Sequence, residues 1–226
     1  MAFSLASRNR LTQHDLDRFP GRTLFDRIAR AVCQAECLPR KELYEAWETA
    51  RRARRIFRGG RVVDLAGGHG LVAQILLILD DSSPGALVVD REIPASAHTL
   101  HEAIVTTWPR LRGRVGFVAG QLEETALLAT DLVVSVHACG ALTDLVLDRA
   151  IAARARIAVL PCCHDTRVSD TGGLSGWMDD ALAIDATRAA RLARAGYVVR
   201  TQTIPRAITP KNRLLLADVT GRDTSA

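Results

Sequence analysis

The residues best suited to chemistry lie in a glycine-rich turn at 62–70, where Val-Val-Asp-Leu-Ala-Gly-Gly-His-Gly follows an apolar run. Side chains in place of Gly68 and Gly70 would keep a ligand away from the backbone, so these glycines suit a turn that cradles a cofactor. Asp64 could hold a cationic ammonium group. Asp90 closes the next apolar run, where a carboxylate can accept hydrogen bonds from two ribose hydroxyls. Together they predict a site for an adenosyl cofactor that carries an amino acid.

Two clusters of histidine and cysteine follow two later apolar runs. Segment 135–144 has the sequence Ser-Val-His-Ala-Cys-Gly-Ala-Leu-Thr-Asp, and segment 160–164 has the sequence Leu-Pro-Cys-Cys-His. If the two strands are neighbours, both clusters meet at the carboxyl edge of the sheet beside the glycine turn. Histidine has an unperturbed pKa of about 6.5 and can accept a proton near neutrality. We predict that His137 and His164 are catalytic, with His137 as the first candidate.

A metal site is an alternative use of the same clusters, since they supply nitrogen and sulfur ligands of the kind that zinc prefers. The candidate set is His137, Cys139, Cys162, Cys163 and His164. However, adjacent cysteines at a strand end point to different sides, and structural zinc favours Cys-x-x-Cys spacing. We therefore predict a metal-free pocket. Buried structural cysteines with surface histidines are the other alternative, and no basic partner for a cysteine nucleophile is apparent.

The motif His-x-Cys-Gly-x-x-Thr-Asp followed by Cys-Cys-His resembles the core of one branch of class I methyltransferases. This branch includes the tRNA 2′-O-methyltransferases of the acceptor stem and methyltransferase-like proteins, one of which carries a glutathione-transferase-like domain. The resemblance covers about 61–216 and includes Thr-Pro-Lys-Asn-Arg at 209–213. It implies S-adenosylmethionine as cofactor and a substrate pocket formed by Cys139, Gly140, Asp144, Cys162, Cys163 and Asn212.

The chain departs from this branch at two places. Ala66 stands where a first glycine is usual, and Asp165 follows His164 where the tRNA enzymes continue the Cys-Cys-His run. An acceptor-stem substrate is therefore not implied. Gln121 follows the third strand and could contact the adenine edge. The predicted cofactor-binding residues are Asp64, Ala66, Gly67, Gly68, Gly70, Asp90, Gln121 and His137.

A dinucleotide site is the alternative interpretation of the turn, because segment 68–73 also matches the dinucleotide pattern and Asp90 follows at the expected distance. Asp64 counts against it, since a carboxylate there would repel a pyrophosphate. No Gly-Lys-Ser/Thr follows, so a P-loop is not expected. A nicotinamide-dependent oxidoreductase is the alternative enzyme, and a non-catalytic cofactor- or zinc-binding RNA-associated protein is the alternative from another class.

The elements that must position these residues alternate between strand and helix. We predict strands at 61–65, 86–89, 115–119, 132–137, 157–160, 197–204 and 213–219, and helices at 15–33, 40–57, 71–79, 95–108, 143–153 and 177–195. Continuously apolar strands separated by helices favour a parallel sheet covered on both faces. The predicted fold is α/β, a Rossmann-like seven-stranded methyltransferase sheet whose last two strands form an antiparallel hairpin. We divide the chain into a helical extension or lid at 1–58, a cofactor-binding domain at 59–220 and a flexible tail at 221–226.

Composition narrows the class of protein further. The 226 residues are 48% hydrophobic and 24% charged, which is ordinary for a globular domain. No apolar run approaches the roughly 20 residues that cross a bilayer, and the start lacks the apolar core of a signal peptide, so no membrane association is expected. The five cysteines make a poor disulfide framework, which favours reduced thiols in the cytoplasm.

Six arginines crowd the end of the second predicted helix: Arg51, Arg52, Arg54, Arg55, Arg58 and Arg61. The spacing places Arg51, Arg54, Arg55 and Arg58 on one exposed face, and the net charge is +5. Such a face could track phosphates, although most charge runs only solvate a surface. The sequence as a whole predicts an S-adenosylmethionine-dependent methyltransferase that acts on oxygen or nitrogen of RNA or of a small molecule.

Overall fold

Seven strands form the centre of the molecule in a computed structural model that describes residues 3–219. They are β1 (Val62–Leu65), β2 (Ala86–Asp90), β3 (Val115–Ala119), β4 (Leu132–Ser135), β5 (Arg156–Val159), β6 (Tyr197–Thr203) and β7 (Arg213–Val219). Their order in the sheet is β3-β2-β1-β4-β5-β7-β6. The first five strands are parallel, and β7 pairs antiparallel with both β5 and β6. The predicted fold class and the antiparallel pair of late strands are confirmed.

Within residues 3–219 six α-helices accompany the sheet: α1 (Leu24–Ala35), α2 (Arg40–Ile56), α3 (Leu71–Leu79), α4 (Ala95–Thr107), α5 (Ala141–Ala153) and α6 (Asp180–Arg194). Because successive strand residues point to opposite faces, Val62 packs with the cluster on the side of α1 to α4. Val63 packs with the cluster that contains α5 and α6 residues on the other side. Both faces of the sheet are thus covered, as continuously apolar strands require.

The N-terminal helices share their core with the α/β segment. Ile28 and Leu43, from α1 and α2, belong to the same buried cluster as Leu76 and Ile104, from α3 and α4. The division at residue 58 stays a prediction, and the residues on its two sides form one continuous cluster. The predicted tail at 221–226 lies outside the described residues.

Element boundaries differ from the prediction where local chemistry ends a helix or strand early. The helix predicted at 15–33 is interrupted at Pro20, so a 3-10 turn covers Gln13–Arg18 and α1 begins at Leu24. The Thr23 side chain caps α1 by accepting from the backbone amide of Asp26. Asp179 caps α6 in the same way, so that helix begins at Asp180. The helix at 71–79 and the strands at 115–119 and 213–219 have their predicted bounds.

None of the helices among residues 3–219 combines the length and apolar character needed to cross a membrane.

Candidate active site

The turn after β1 is held close to the sheet by its glycines. A Cβ atom at Gly67 would lie 2.7 Å from the Cγ of Asp64, and one at Gly70 would lie 2.6 Å from a Val88 methyl group. Gly68 has a φ of 51° and its amide donates to Asp90 Oδ2 at 2.9 Å. Ala66, which replaces the usual glycine, adopts a left-handed φ of 56°. The turn therefore keeps its tight conformation despite this departure.

A cavity of about 480 Å³ opens above this turn, a size typical of small-ligand sites. Six predicted cofactor-binding residues line it: Asp64, Ala66, Gly67, Gly68, Asp90 and His137. Its opposite wall comes from the N-terminal part of the chain, through Arg10, Leu38, Pro39, Glu42 and Ala46. Gly70 packs beneath the turn, outside the lining. Gln121 lies in an adjoining cavity that shares Asp90 with the first.

Asp64 is a buried carboxylate with no countercharge among residues 3–219. The residue is 1% exposed, and within the described part of the chain neither carboxylate oxygen has a hydrogen-bond partner at normal distance and angle. Burial raises the pKa of Asp64 to about 8, against the opposing effect of the Ala73 backbone amide, and the nearby charge of Asp90 adds to the rise. An unpaired buried carboxylate is costly, so this position fits a ligand that brings a positive charge. The ammonium group of an amino-acid cofactor would supply it.

His137 faces the same cavity from the loop after β4, which ends at Ser135 and not at 137 as predicted. Its side chain is 40% exposed, and its Nε2 lies 4.0 Å from Glu42 Oε2. Partial loss of hydration at the cavity wall, with the positive charge of Lys41, lowers the pKa of His137 below its usual range. The ring is therefore neutral at pH 7, when one of its nitrogens can accept a proton.

Glu42 is a site residue that the sequence did not indicate. It lies in the first turn of α2 and lines the cavity opposite the glycine turn. Burial raises the pKa of Glu42, and the neighbouring Glu45 carboxylate adds to the effect. The helical pattern predicts α2, but nothing local to Glu42 indicates that this turn of the helix reaches the sheet edge.

His164 lies in a buried ionic network and does not line the cavity with His137. Its side chain is 4% exposed, and its Nε2 is 2.8 Å from Asp185 Oδ1. Arg213 and Arg188 also contact Asp185, at 2.7 Å and 3.3 Å. Although burial acts to raise the pKa of Asp185, the hydrogen bonds from His164 and Arg213 hold it below its usual range. This network joins the tip of β5 to α6 and β7.

The remaining predicted pocket residues make structural contacts near this network. Arg188 donates to Asp144 at 2.7 Å and to the carbonyl oxygen of Gly140 at 3.2 Å. Asn212 donates to the carbonyl oxygen of Ile204 at 2.9 Å. None of these predicted pocket residues is among the residues that line the cavity above the glycine turn.

The cysteines at the tips of β4 and β5 meet, as the neighbouring strands require. The Sγ atoms of Cys139, Cys162 and Cys163 all lie within 4.8 Å of one another, close enough to share a thiophilic cation. Within the described part of the chain neither His137 nor His164 joins this group. The mixed nitrogen and sulfur set considered as a zinc site is therefore not assembled.

The arginine face predicted on the second helix is largely engaged within the protein. Arg54 is 2% exposed and contacts Asp80 at 3.2 Å, so its placement on an exposed face was wrong. Arg51 and Arg52 both contact Glu48. Arg55 is exposed. Arg54 is buried because its guanidinium also donates to the carbonyl oxygens of Phe57, at the end of α2, and Leu76, in α3.

The class I methyltransferase fold has a parallel sheet that ends in an antiparallel pair of strands, as this chain does. In that fold a glycine turn follows β1 and an acidic residue, here Asp90, ends β2. Residues 42–169 match a family model described as a methyltransferase domain. The chain belongs to this methyltransferase family, and a domain of this class uses S-adenosylmethionine as its methyl donor. The orphaned Asp64 carboxylate and the close glycine turn fit that cofactor, and they favour it over a dinucleotide.

The chain is also similar to one curated protein in sequence and to solved structures in fold. A Xenopus laevis protein, a glutathione S-transferase C-terminal domain-containing protein, is 29% identical over 109 residues, which are 47% of this chain and 16% of that protein. A putative O-methyltransferase from Nostoc punctiforme has a TM-score of 0.52 at 16% identity, covering 85% of this chain and 59% of that one. An O-methyltransferase family protein from Burkholderia thailandensis has a TM-score of 0.50 at 20% identity, covering 94% and 64%. The chain thus spans only part of each of these relatives.

Proposed function

We propose that the chain transfers a methyl group from S-adenosylmethionine to an oxygen or nitrogen atom of its substrate. The observation that carries this proposal is the unpaired Asp64 carboxylate at the floor of a cavity that His137 also faces. The Asp64 carboxylate can bind the positively charged methyl donor. The neutral His137 ring in the same cavity can accept the proton that a hydroxyl or amine nucleophile releases.

In this proposal the cofactor lies over the turn between β1 and α3. Asp64 holds its ammonium group, and Asp90 accepts hydrogen bonds from its ribose hydroxyls. Gly68 leaves open space beside the turn, because the nearest heavy atom to the position of a Cβ there is 4.0 Å away. The cofactor can therefore lie close to the backbone at this point. Gln121 is proposed to contact the adenine end, since its cavity adjoins the first at Asp90.

When bound, S-adenosylmethionine supplies an electrophilic methyl group. The protein aligns the nucleophile for in-line attack, which supplies much of the rate of such a displacement. His137 accepts the proton that the nucleophile releases, because its ring is neutral at pH 7. Glu42, 4.0 Å from His137 Nε2, stabilises the imidazolium that forms. His164, predicted beside His137, is proposed instead to position the β5 tip through Asp185.

RNA is the substrate class that we put first. The support is the resemblance of the His-x-Cys-Gly and Cys-Cys-His motifs to tRNA methyltransferases, together with the net charge of +5. A small-molecule acceptor is the second candidate, because the N-terminal residues Leu38 and Pro39 narrow the cavity opposite the cofactor turn. We place the activity in the cytoplasm, where the chain's cysteines stay reduced.

The deciding experiment measures tritium transfer from methyl-labelled S-adenosylmethionine into RNA, protein and metabolite fractions. Label in RNA is the expected result, and label confined to metabolites would replace RNA by a small acceptor. Calorimetry with S-adenosylhomocysteine and with NAD(P) is the companion measurement. Binding of NAD(P) alone would reject the methyltransferase proposal, whereas S-adenosylhomocysteine binding without transfer to any fraction would indicate the non-catalytic alternative.

A further inference from the structure

A group of three thiols lies beside the cavity without belonging to its lining. We call Cys139, Cys162 and Cys163 the thiol group. Cys139 is exposed and the other two are half-buried. Its closest pair is Cys139 Sγ and Cys162 Sγ, 2.9 Å apart, and Cys162 Sγ lies 3.8 Å from Cys163 Sγ. The methyl-transfer proposal assigns no step to these sulfurs.

Cys163 is the member of the thiol group with a positive charge beside it. The Nζ atom of Lys211, which precedes β7, lies 3.8 Å from Cys163 Sγ. The sequence offered no basic partner for a cysteine, because Lys211 is 48 residues away along the chain. A nearby ammonium group stabilises a thiolate, which is the nucleophilic form of cysteine.

Cys139 and Cys162 also favour a thiolate at Cys163. Although burial acts to raise it, hydrogen bonds from Cys139 and Cys162, with the charge of Lys211, hold the pKa of Cys163 below its usual range. Burial raises the pKa of Cys162 and of Cys139. One thiolate thus faces two neighbours that keep their protons.

The backbone places a resolving thiol across from Cys163. Cys139 and Cys163 are bridge partners on parallel segments that continue β4 and β5. Residues paired across neighbouring strands have Cα atoms roughly 5 Å apart, within the range of about 4.4–6.8 Å that a disulfide needs. A bridge between the adjacent Cys162 and Cys163 would instead strain the planar trans peptide between them.

We propose that Cys163 is a peroxide-reactive nucleophile and that Cys139 resolves its oxidised form as a disulfide. The Cys163 thiolate attacks one oxygen of hydrogen peroxide, the O–O bond breaks, and the departing hydroxide takes a proton to give water. The Cys139 sulfur then attacks the resulting sulfenic acid, and its thiol proton leaves with the sulfenic oxygen as a second water. Two thiols are oxidised by two electrons, and peroxide is reduced to two waters.

The first test uses the full chain, reduced and then treated with one equivalent of hydrogen peroxide. Mass spectrometry of the native protein should find a Cys139–Cys163 disulfide. In Cys139→Ser, dimedone should label Cys163 as its sulfenic acid. Cys33 and Cys37 serve as internal controls, because burial raises their pKa to about 12 and about 11. A disulfide that joins another pair, or dimedone on another residue, would overturn the proposal.

The second test isolates Lys211. In limited alkylation by iodoacetamide, Cys163 should react first, and Lys211→Gln should slow its reaction at least about threefold while Lys211→Arg preserves it. Equal reaction rates at the three cysteines, or no effect of Lys211→Gln in a variant with unchanged circular dichroism, would contradict the assignment. So would one equivalent of zinc bound to the thiol group in the native protein. These readouts are chemical, so their outcome is separate from that of the methyl-transfer assay.

Discussion

Asp64 shows how one residue can cost stability while preparing a site. Its register in β1 places it beside Val88 and Val134, where only 1% of the residue is exposed to water. The folded chain therefore favours the protonated form, because the pKa is about 8 and the usual value of an aspartate is 3.8. A cationic ligand would reverse this preference, because its charge favours the carboxylate.

We predict that Asp64→Asn makes the ligand-free protein more stable at pH 8 and that this gain shrinks at pH 5. A raised pKa in the folded state contributes stability at low pH, and that contribution is lost as the pH rises toward about 8. The amide cannot ionise, so the variant escapes the loss. Urea unfolding at both pH values measures the difference.

The control for this prediction is Asp81→Asn. Hydrogen bonds and charges from Arg114 and Arg110 lower the pKa of the exposed Asp81, so its amide variant should show no gain at pH 8. An equal gain in both variants would mean that net charge, and not burial of Asp64, sets the effect.

His137 is predicted to act in turnover and not in cofactor affinity. His137→Ala should reduce kcat by roughly 10² or more, which is the usual contribution of a general base. The dissociation constant for S-adenosylhomocysteine should stay within about threefold. In the native enzyme kcat should not fall between pH 8 and pH 7 through this group, because its pKa lies below the unperturbed value of about 6.5. Single-turnover kinetics and calorimetry measure the two quantities.

The matched control is His98→Ala on the exposed side of α4, which should leave both quantities unchanged. If turnover survives in His137→Ala, another group accepts the proton, and Glu42 is the nearest acid.

At the scale of elements, α2 contributes to the core, to the cavity wall and to a buried ion pair. Its sequence pattern predicts only the first of these. Its apolar residues Leu43 and Ala50 pack into the core, as helical spacing predicts. Its first turn presents Glu42 to the cavity, and its last turn buries Arg54 against Asp80. Periodicity shows which side of a helix is apolar, but it carries no information on a polar residue whose partner lies in another element.

We predict that Arg54→Ala and Arg55→Ala, neighbours on α2, differ strongly in stability. Removing Arg54 takes from buried Asp80 its only cationic contact within residues 3–219, although Asp80 keeps its hydrogen bonds from Gly59 and Ser82. It also takes the 2.8 Å donor from the Ser83 hydroxyl. Breaking a buried ion pair in this way costs about 3–5 kcal/mol. Arg55 is exposed, and its loss should change the free energy of unfolding by at most about 0.5 kcal/mol. Denaturant unfolding measures both changes. Similar losses of unfolding free energy in the two variants would show that the contacts of Arg54 contribute little to stability.

The sequence predicts the strands better than it predicts the side-chain directions in the segments that follow β4 and β5. The strands at 115–119 and 213–219 were predicted at their bounds because short apolar runs between turns identify them locally. The sheet order then brings 135–144 and 160–164 together, as the adjacency of β4 and β5 implies. The direction of each side chain at those tips is set by distant residues such as Asp185 for His164 and Lys211 for Cys163. Such contacts leave no local pattern.

At the scale of the whole molecule, the N-terminal helices complete both the core and the site. α1 packs against α4 and α2 packs against α3, so Ile28 and Leu43 are buried by elements beyond residue 58. The same segment supplies Glu42 and Leu38 to the cavity wall. A lid that only rests on a finished domain would not share its core in this way.

We therefore predict that residues 59–226 alone do not form a stable monomer. Removing 1–58 uncovers buried residues such as Leu76, Leu100 and Ile104, and exposed apolar surface of this kind drives aggregation. Size-exclusion chromatography should show aggregates, and thermal melts should lack a cooperative transition. Deletion of 221–226 is the matched control and should leave the melting temperature within about 2 °C. A monomeric 59–226 fragment that binds S-adenosylhomocysteine as tightly as the full chain would instead establish the first 58 residues as a separate unit.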